Sequence, residues 1–333
     1  MYDQTKTQLF GAIIKGTDSF YIYRHMKRFA LYLLIAGITI RGLAQCKITE
    51  NRQFAFPKYI PAGNYSGIAW LGKNHYAVVS DKSKEDGFFV FEIDVDSVSG
   101  ELLAAKNLGF RSSGFENRDN EGIAFNALSN TILISGERDN RILEYKLDGN
   151  RTSREAQLPE VYRHLPANLG LEALSFNDST RTLWTCNESD TIFIQSFDSL
   201  YRPRHLYVYH LDSPIANADK AWLYAHGAVA MCALDDGNLL VLEREFYVPK
   251  KKIGAFVNCK LFKFTVENSK KNLLSTWRTK LTLLSRTLAN YEGMCLGPKL
   301  ADGSRVLILV ADSQNQYGSV LKDWLKTLKI EMH

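Results

Sequence analysis

Along most of the chain the apolar positions come in short runs with a period of two, the spacing of strands whose faces are buried unequally. Arg141-Ile142-Leu143-Glu144-Tyr145-Lys146-Leu147 alternates in this way, and Asp148-Gly149 closes it with a turn dipeptide. Lys260-Leu261-Phe262-Lys263-Phe264-Thr265-Val266 and Gly87-Phe88-Phe89-Val90-Phe91-Glu92-Ile93 repeat the pattern. Beyond residue 45 no segment offers a long apolar stripe at helical spacing between caps. The pattern predicts an all-β protein.

The strands fall into copies of one unit: a polar lead carrying an acid, then Gly-hydrophobic-Ala, a turn, an apolar strand and a second acid. One copy runs Asp119-Asn120-Glu121-Gly122-Ile123-Ala124-Phe125 and continues through Thr131-Ile132-Leu133-Ile134-Ser135-Gly136-Glu137. The next has Gly170-Leu171-Glu172-Ala173-Leu174-Ser175-Phe176, then Thr182 to Glu188. In both, the two glutamates are sixteen residues apart. A third copy, Gly227-Ala228-Val229-Ala230-Met231 followed by Leu239-Leu240-Val241-Leu242-Glu243, keeps that offset but has Gly227 at the first acid, for which His226 or Asp219 could stand in. A fourth joins Glu292-Gly293-Met294 to Leu309-Val310-Ala311-Asp312, and the most amino-terminal joins Ser66-Gly67-Ile68-Ala69-Trp70 to Ser80-Asp81. Equivalent positions 67, 122, 173, 228 and 293 are spaced by 55, 51, 55 and 65 residues, the length of a four-stranded propeller blade with generous loops. Five blades are visible. A sixth is expected from Thr191 to Trp222 or from the two ends of the chain, where Ile48 to Phe56 and Asp323 to Ile330 have the composition for ring closure.

The amino terminus reads as a targeting segment. Met26-Lys27-Arg28 precedes the twelve-residue apolar run Phe29 to Ile40, too short to span a bilayer comfortably, and Gly42-Leu43-Ala44 fits a cleavage site before Gln45. Residues 1–25 are then an upstream extension, 26–44 a signal peptide, and 46–333 a single exported, monomeric domain with no transmembrane span. A lipoprotein anchored through Cys46 ranks second, because Gln45 fits lipidation poorly. Residues 1–45 hold six of the 41 basic residues and two of the 36 acidic ones, so the remainder carries 35 and 34 and a net charge of +1. That balance excludes a nucleic-acid partner, which would need a basic stripe. Cys46, Cys186, Cys232, Cys259 and Cys295 show no zinc spacing, and most read as small buried thiols in strands.

In a propeller, equivalent positions of successive blades sit at equivalent radii, so a repeated acid becomes a ring around the axis. Glu121, Glu172 and Glu292 would form one ring; Asp81, Glu137, Glu188, Glu243 and Asp312 would form a second. Carboxylates so gathered repel one another unless cations or hydrogen-bond donors neutralise them, and hard oxygen ligands suit calcium or magnesium better than zinc. The same acids could instead accept hydrogen bonds from backbone amides and from Arg138 and Arg244, and serve architecture alone.

The Asp119-x-Glu121-Gly-Ile-Ala, Gly170-Leu-Glu172-Ala-Leu-Ser, Leu239-Leu-Val-Leu-Glu243-Arg244, Asn290-Tyr-Glu292-Gly-Met and Leu309-Val-Ala-Asp312 segments, taken in order, resemble the phytase-like domain called "esterase-like activity of phytase". The resemblance spans about Tyr65 to Asp312 and implies an exported bacterial protein with phosphoester-hydrolase activity. Ser66 and Gly227 depart from it at the first acid, so the site should be asymmetric. A phosphoester centre on these residues would use Glu121, Glu172 and Glu292 for catalysis, and Asp81, Asp119, Glu137, Glu188, Glu243 and Asp312 to hold calcium. Arg118, Arg138, Arg244 and His226 would contact phosphate. Lys250-Lys251-Lys252 reads as a solvated loop. No G-x-S-x-G elbow is present, which leaves a serine esterase of the α/β-hydrolase kind without support. A propeller that binds a glycan or other ligand without catalysis, and a calcium-dependent lactonase, are the competing readings.

Overall fold

The structure is a computed structural model, described for residues 46–166, 169–189, 191–314 and 321–332. The leader expected within residues 1–45 lies outside the described residues. Lys47–Glu331 form one compact unit of five antiparallel sheets. The first holds β3 (Tyr65–Gly72), β4 (His75–Ser80), β5 (Glu85–Val95) and β6 (Leu102–Glu116). The second holds β7 (Asn120–Asn126), β8 (Thr131–Gly136), β9 (Arg141–Lys146) and β10 (Arg151–Glu155). β11 (Leu171–Asn177), β12 (Thr182–Asn187), β13 (Ile192–Phe197) and β14 (Pro203–Tyr209) make the third, and β15 (Leu223–Ala233), β16 (Leu239–Val248), β17 (Phe256–Thr265) and β18 (Lys270–Lys280) the fourth. The fifth consists of β19 (Asn290–Lys299), β20 (Arg305–Asp312) and β21 (Trp324–Glu331), completed on the outside by β1 (Lys47–Glu50). The short β2 (Phe54–Ala55) pairs with the near end of β21.

The propeller therefore has five blades, not six. Both segments expected to supply a sixth are used elsewhere: Thr191 to Tyr209 provides the outer half of the third blade, and the two chain ends share the fifth. Ile48 pairs with Ile330 and Glu50 with Leu328, so the ends do close the ring, but as the outermost strand of an existing blade.

Each second strand is buried nearly throughout because it is sandwiched between neighbouring blades, and the third strands turn their apolar positions into the same interfaces. Val78, Phe91 and Ile93 pack against Val306, Ile308 and Leu325 across the first and fifth blades. Leu133 and Ile142 meet Leu174, Leu183 and Phe197 across the second and third. Trp184 and Ile194 meet Leu239, Val241 and Phe264 across the third and fourth. Cys186, Cys232, Cys259 and Cys295 are buried with free thiols.

The innermost strands β3, β7, β11, β15 and β19 touch in succession and β19 returns to β3, enclosing an axial channel. They approach so closely that the glycine which three of the blades carry at the repeat position is a packing requirement there. A Cβ on Gly122 would lie 2.6 Å from both the Glu172 carbonyl oxygen and the Leu174 amide nitrogen, and one on Gly67 would lie 2.5 Å from the Glu121 carbonyl oxygen. Neither neighbour is a flexible side chain that can yield. Gly122→Ala should therefore cost about 1–3 kcal/mol, read as a lowered urea midpoint. An unchanged midpoint would mean that the inner strands have room the structure does not show.

Candidate functional site

The acids gather at one end of the channel because each inner strand begins there and each second strand ends there. Glu121, Glu172 and Glu292 occupy the second or third position of β7, β11 and β19. Glu137 and Glu188 directly follow the pairs Asn120–Gly136 and Leu171–Asn187, Asp81 follows Ser80 opposite Tyr65, and Asp312 pairs with Asn290. These residues feel one another electrostatically: Glu121 is affected by Asp81, Glu292, Glu137 and Asp312, and Glu172 by Glu188, Glu121 and Glu292.

A buried arginine holds one side of this cluster together. Arg244 donates to Glu188 Oε1 at 2.8 Å and to Asn290 Oδ1 at 2.8 Å, and stands 3.2 Å from Glu292 Oε1. Asn290 in turn donates to Glu292 Oε1 at 2.8 Å. Burial opposes charge on Arg244, but Glu188, Glu292 and Glu172 outweigh it and hold the guanidinium more firmly protonated. The missing acid of the fourth blade also finds its reason here. A Cβ on Gly227 would lie 2.8 Å from Glu188 Oε1, so the neighbouring blade's glutamate fills the space that a side chain at 227 would take. Neither His226 nor Asp219 replaces it. At the other departure, Ser66 Oγ donates to the Asn120 carbonyl oxygen at 2.7 Å and ties the first blade to the second.

Arg244 and Lys82, which binds Asp81 at 2.9 Å, cannot balance so many carboxyls, and the shifts of their titration reflect that. Burial, with the charge of neighbouring acids, raises Glu121, Glu172 and Asp312 well above the usual carboxylate range. Glu292 is pushed up to about 6, by burial first and then by Glu188 and Asp81 against the opposing pull of Arg244. Burial also raises Asp81 and Glu137. Glu172 hydrogen-bonds to Glu188, and Asp312 to Glu292. A hydrogen bond between two carboxyl groups requires a proton on one of them.

Other expected site residues stand elsewhere. Asp119 lies at the rim in a left-handed conformation (φ +54°), between Lys82 at 3.3 Å and Arg138 at 3.5 Å. Arg138 is exposed and also binds Glu116 at 3.0 Å. Arg118 does not face the channel: its guanidinium is buried between the first two blades, on Asp139 at 2.9 Å, the Ile134 carbonyl at 3.1 Å and the Tyr145 hydroxyl at 3.2 Å, with Asp86 close by. Glu243 is also outside the cluster. The ladder of β15 and β16 continues past this point, so Glu243 pairs with Ala228 inside the sheet and its carboxylate meets the Tyr209 hydroxyl at 2.9 Å, the Asp212 amide at 3.0 Å and Lys271 Nζ at 2.5 Å. Alternation along the strand turns the next residue, Arg244, toward the channel instead. His226 is half-buried near Glu243 and Glu245, and burial lowers its pKa. Sequence reasoning missed Asn290, a polar residue two places before Glu292, and Lys82, which directly follows Asp81 and binds it at 2.9 Å.

The donor set suits a hard divalent cation: carboxylate oxygens in excess, including the buried Asp81 Oδ1, which has no hydrogen-bond partner among the described residues. Among the described residues no three acids, histidines or cysteines converge on a single ion position. A cation here would take one or two carboxylates and complete its shell with water or substrate oxygens, the habit of magnesium and of open calcium sites.

The family model for the phytase-like domain, esterase-like activity of phytase, matches residues 60–314. The chain belongs to this family. No curated protein matches it. Among solved structures this phytase-like chain is similar to a streptogramin B lyase, at 14% identity over 86% of this chain and 98% of that one, with a TM-score of 0.39. It is also similar to a member of the DUF4221 family from Bacteroides vulgatus, at 9% identity over 87% and 99%, with a TM-score of 0.44. A structural genomics protein of unknown function from Bacteroides thetaiotaomicron gives 10% identity over 86% and 76%, and 0.42. Likenesses this distant carry no argument about what the phytase-like chain does. Among the described residues no helix is long and apolar enough to cross a membrane.

The raised carboxyls have a thermodynamic consequence. Unfolded, these side chains titrate near 4, so above that pH the folded protein binds more protons than the unfolded chain and stability falls as pH rises. In chelator-treated buffer the urea midpoint of this phytase-like protein should fall between about pH 5 and about pH 8. Arg244→Gln should steepen the fall and lower stability by about 3–5 kcal/mol, because Glu188 and Glu292 lose their buried counter-charge. A midpoint that is flat or rises with pH would contradict the arrangement.

Proposed function

We propose that this phytase-like protein is an exported, divalent-cation-dependent hydrolase of phosphate esters, working at the acid end of the channel. The observation that carries the reading is the excess of carboxyls over cations around Arg244. A phosphate ester is itself anionic and would be repelled by this surface, so a cation of the calcium kind is what lets the two meet. Asp81 and Asp312 are the residues that would hold it. When bound, such an ion polarises a phosphoryl oxygen and makes a bound water more acidic. Export is supported by the leader-like pattern of Met26 to Ala44.

The chain's own groups divide the remaining work. Glu292, with its carboxyl poised at about 6, is balanced between acid and base near neutral pH and can move a proton to or from the reacting oxygen. Glu121 and Glu172, whose carboxyls burial pushes well above the usual carboxylate range, are suited to donate to a leaving-group oxygen. Arg244 positions Glu188 and Glu292 and keeps them from turning outward. Lys82 and Arg138, exposed at the rim beside Asp119, can meet phosphate oxygens before the ester reaches the acids.

Turnover of p-nitrophenyl phosphate, bis-p-nitrophenyl phosphate, phytate and a simple lactone, each with calcium and with chelator, tests the proposal. Activity is expected on a phosphate ester with calcium alone. Glu292→Gln should lower kcat by about a hundredfold or more, while thermal unfolding stays cooperative. If Glu292 is the base, kcat should rise as pH passes about 6; if it is the acid, kcat should fall there. Turnover of the lactone alone would replace the phosphoester reading with a lactonase. No turnover of any substrate, with stability still dependent on the cluster, would make the acids architectural and the protein a binding propeller.

A further inference from the structure

The inner strands carry a second feature at their other end. Counting from the acids, the strands run about four residues, or roughly 13 Å, before they reach Trp70, Phe125 and Phe176, which occupy the same repeat position in three successive blades. All three are only half-buried, and together they border a cavity of about 220 Å³ that opens the channel on the face away from the acids. Toward the acids the channel narrows to about 10 Å³, room for at most a single water, in a throat that runs from Ile68, Ile123, Leu174 and Met294 on the cavity side to Glu121 and Glu292. The cavity is thus a separate compartment, and the proposed hydrolase chemistry does not use it.

Its rim has an uneven charge. Asp178 and Asp235 both line it, and the carboxyl of Asp178 is raised by burial and then by the charge of Asp235. Arg305 is the cation at this rim, and it is already committed: it reaches Asp235 at 3.4 Å, donates to the Gly297 carbonyl at 3.0 Å and lies 5.7 Å from the centre of the Trp70 ring. Asp178 accepts one backbone N–H, from Ala127 at 3.1 Å, and meets no cation among the described residues. The side of the cavity nearest Phe125 and Phe176 therefore presents aromatic rings and an uncompensated carboxylate.

We propose that this cavity binds a small organic cation, an amine with a compact apolar body, whose ammonium group faces Asp178 while its body lies among Trp70, Phe125 and Phe176. Aromatic faces attract cations through the ring quadrupole, and a nearby carboxylate selects for charge over mere apolarity. A volume near 220 Å³, somewhat above the roughly 150 Å³ of a cavity that takes benzene, suits a guest about the size of one substituted aromatic ring. An anion is disfavoured by the two aspartates, and Arg305 is not free to receive one.

Calorimetric titration of the purified protein with benzylamine, benzyl alcohol and benzoate tests this directly. Benzylamine should bind, benzyl alcohol roughly tenfold or more weakly, and benzoate not at all. Asp178 is exposed, so Asp178→Asn should leave thermal unfolding unchanged while weakening benzylamine roughly tenfold and leaving benzyl alcohol as it was. Phe125→Ala should weaken both ligands. Absence of benzylamine binding at millimolar concentration, equal binding of the amine and the alcohol, or indifference of benzylamine to Asp178→Asn would each overturn the proposal. A loss of phosphoester turnover in Asp178→Asn would show that the two ends of the channel are not the separate compartments described.

Discussion

The structure depends on the way negative charge is tolerated where five strands begin around one axis. Closing the ring forces equivalent positions of all blades within reach of one another, and this sequence places acids at those positions. Repulsion is limited by three devices. Arg244 is buried between Glu188 and Glu292, burial shifts Glu121, Glu172 and Asp312 toward their neutral forms, and two blades dispense with the first acid altogether. Gly227 and Ser66 are therefore part of the same solution. The first makes room for the neighbouring Glu188, and the second turns a hydroxyl onto the Asn120 carbonyl.

The two ends of the channel follow from one strand pattern. At its start each inner strand carries a small residue, glycine in three blades and alanine in two, and three of the strands carry the acid beside it, because backbones approach there too closely for a larger side chain. At its end the strands diverge, and in three blades aromatic residues take up the space. A single repeat therefore builds an electrostatic site and an aromatic one, back to back, with a constriction between them.

Much of this was legible in the sequence because period-two alternation and a core of a hydrophobic residue between two small ones, from Gly67-Ile68-Ala69 to Gly293-Met294-Cys295, survive in every blade. The positions of Glu121, Glu137, Glu172, Glu188, Glu292, Asp81 and Asp312 follow from the repeat alone. Three features were not legible. Glu243 keeps the sixteen-residue offset, yet the turn Leu234–Asn238 is one residue longer than Ala127–Asn130 and the β15–β16 ladder extends further. Pairing register, which spacing does not encode, then gives the channel to Arg244. Arg118 adjoins Asp119 in sequence but is drawn into the interface of the first two blades by Asp86 and Asp139. The sixth blade failed because strands that look sufficient for a new sheet, Ile192–Phe197 and Pro203–Tyr209, are the outer half of an existing one.

The central claim is that protons and a divalent cation compete for the same buried carboxyls around Arg244. Calorimetry of calcium binding at about pH 6, near the titration point of Glu292, repeated in buffers of different ionisation enthalpy, counts the protons released. The account predicts binding with net proton release, and a smaller release at about pH 8, where Glu292 is already ionised. Calcium binding without proton release at either pH, or no binding at all, would contradict it.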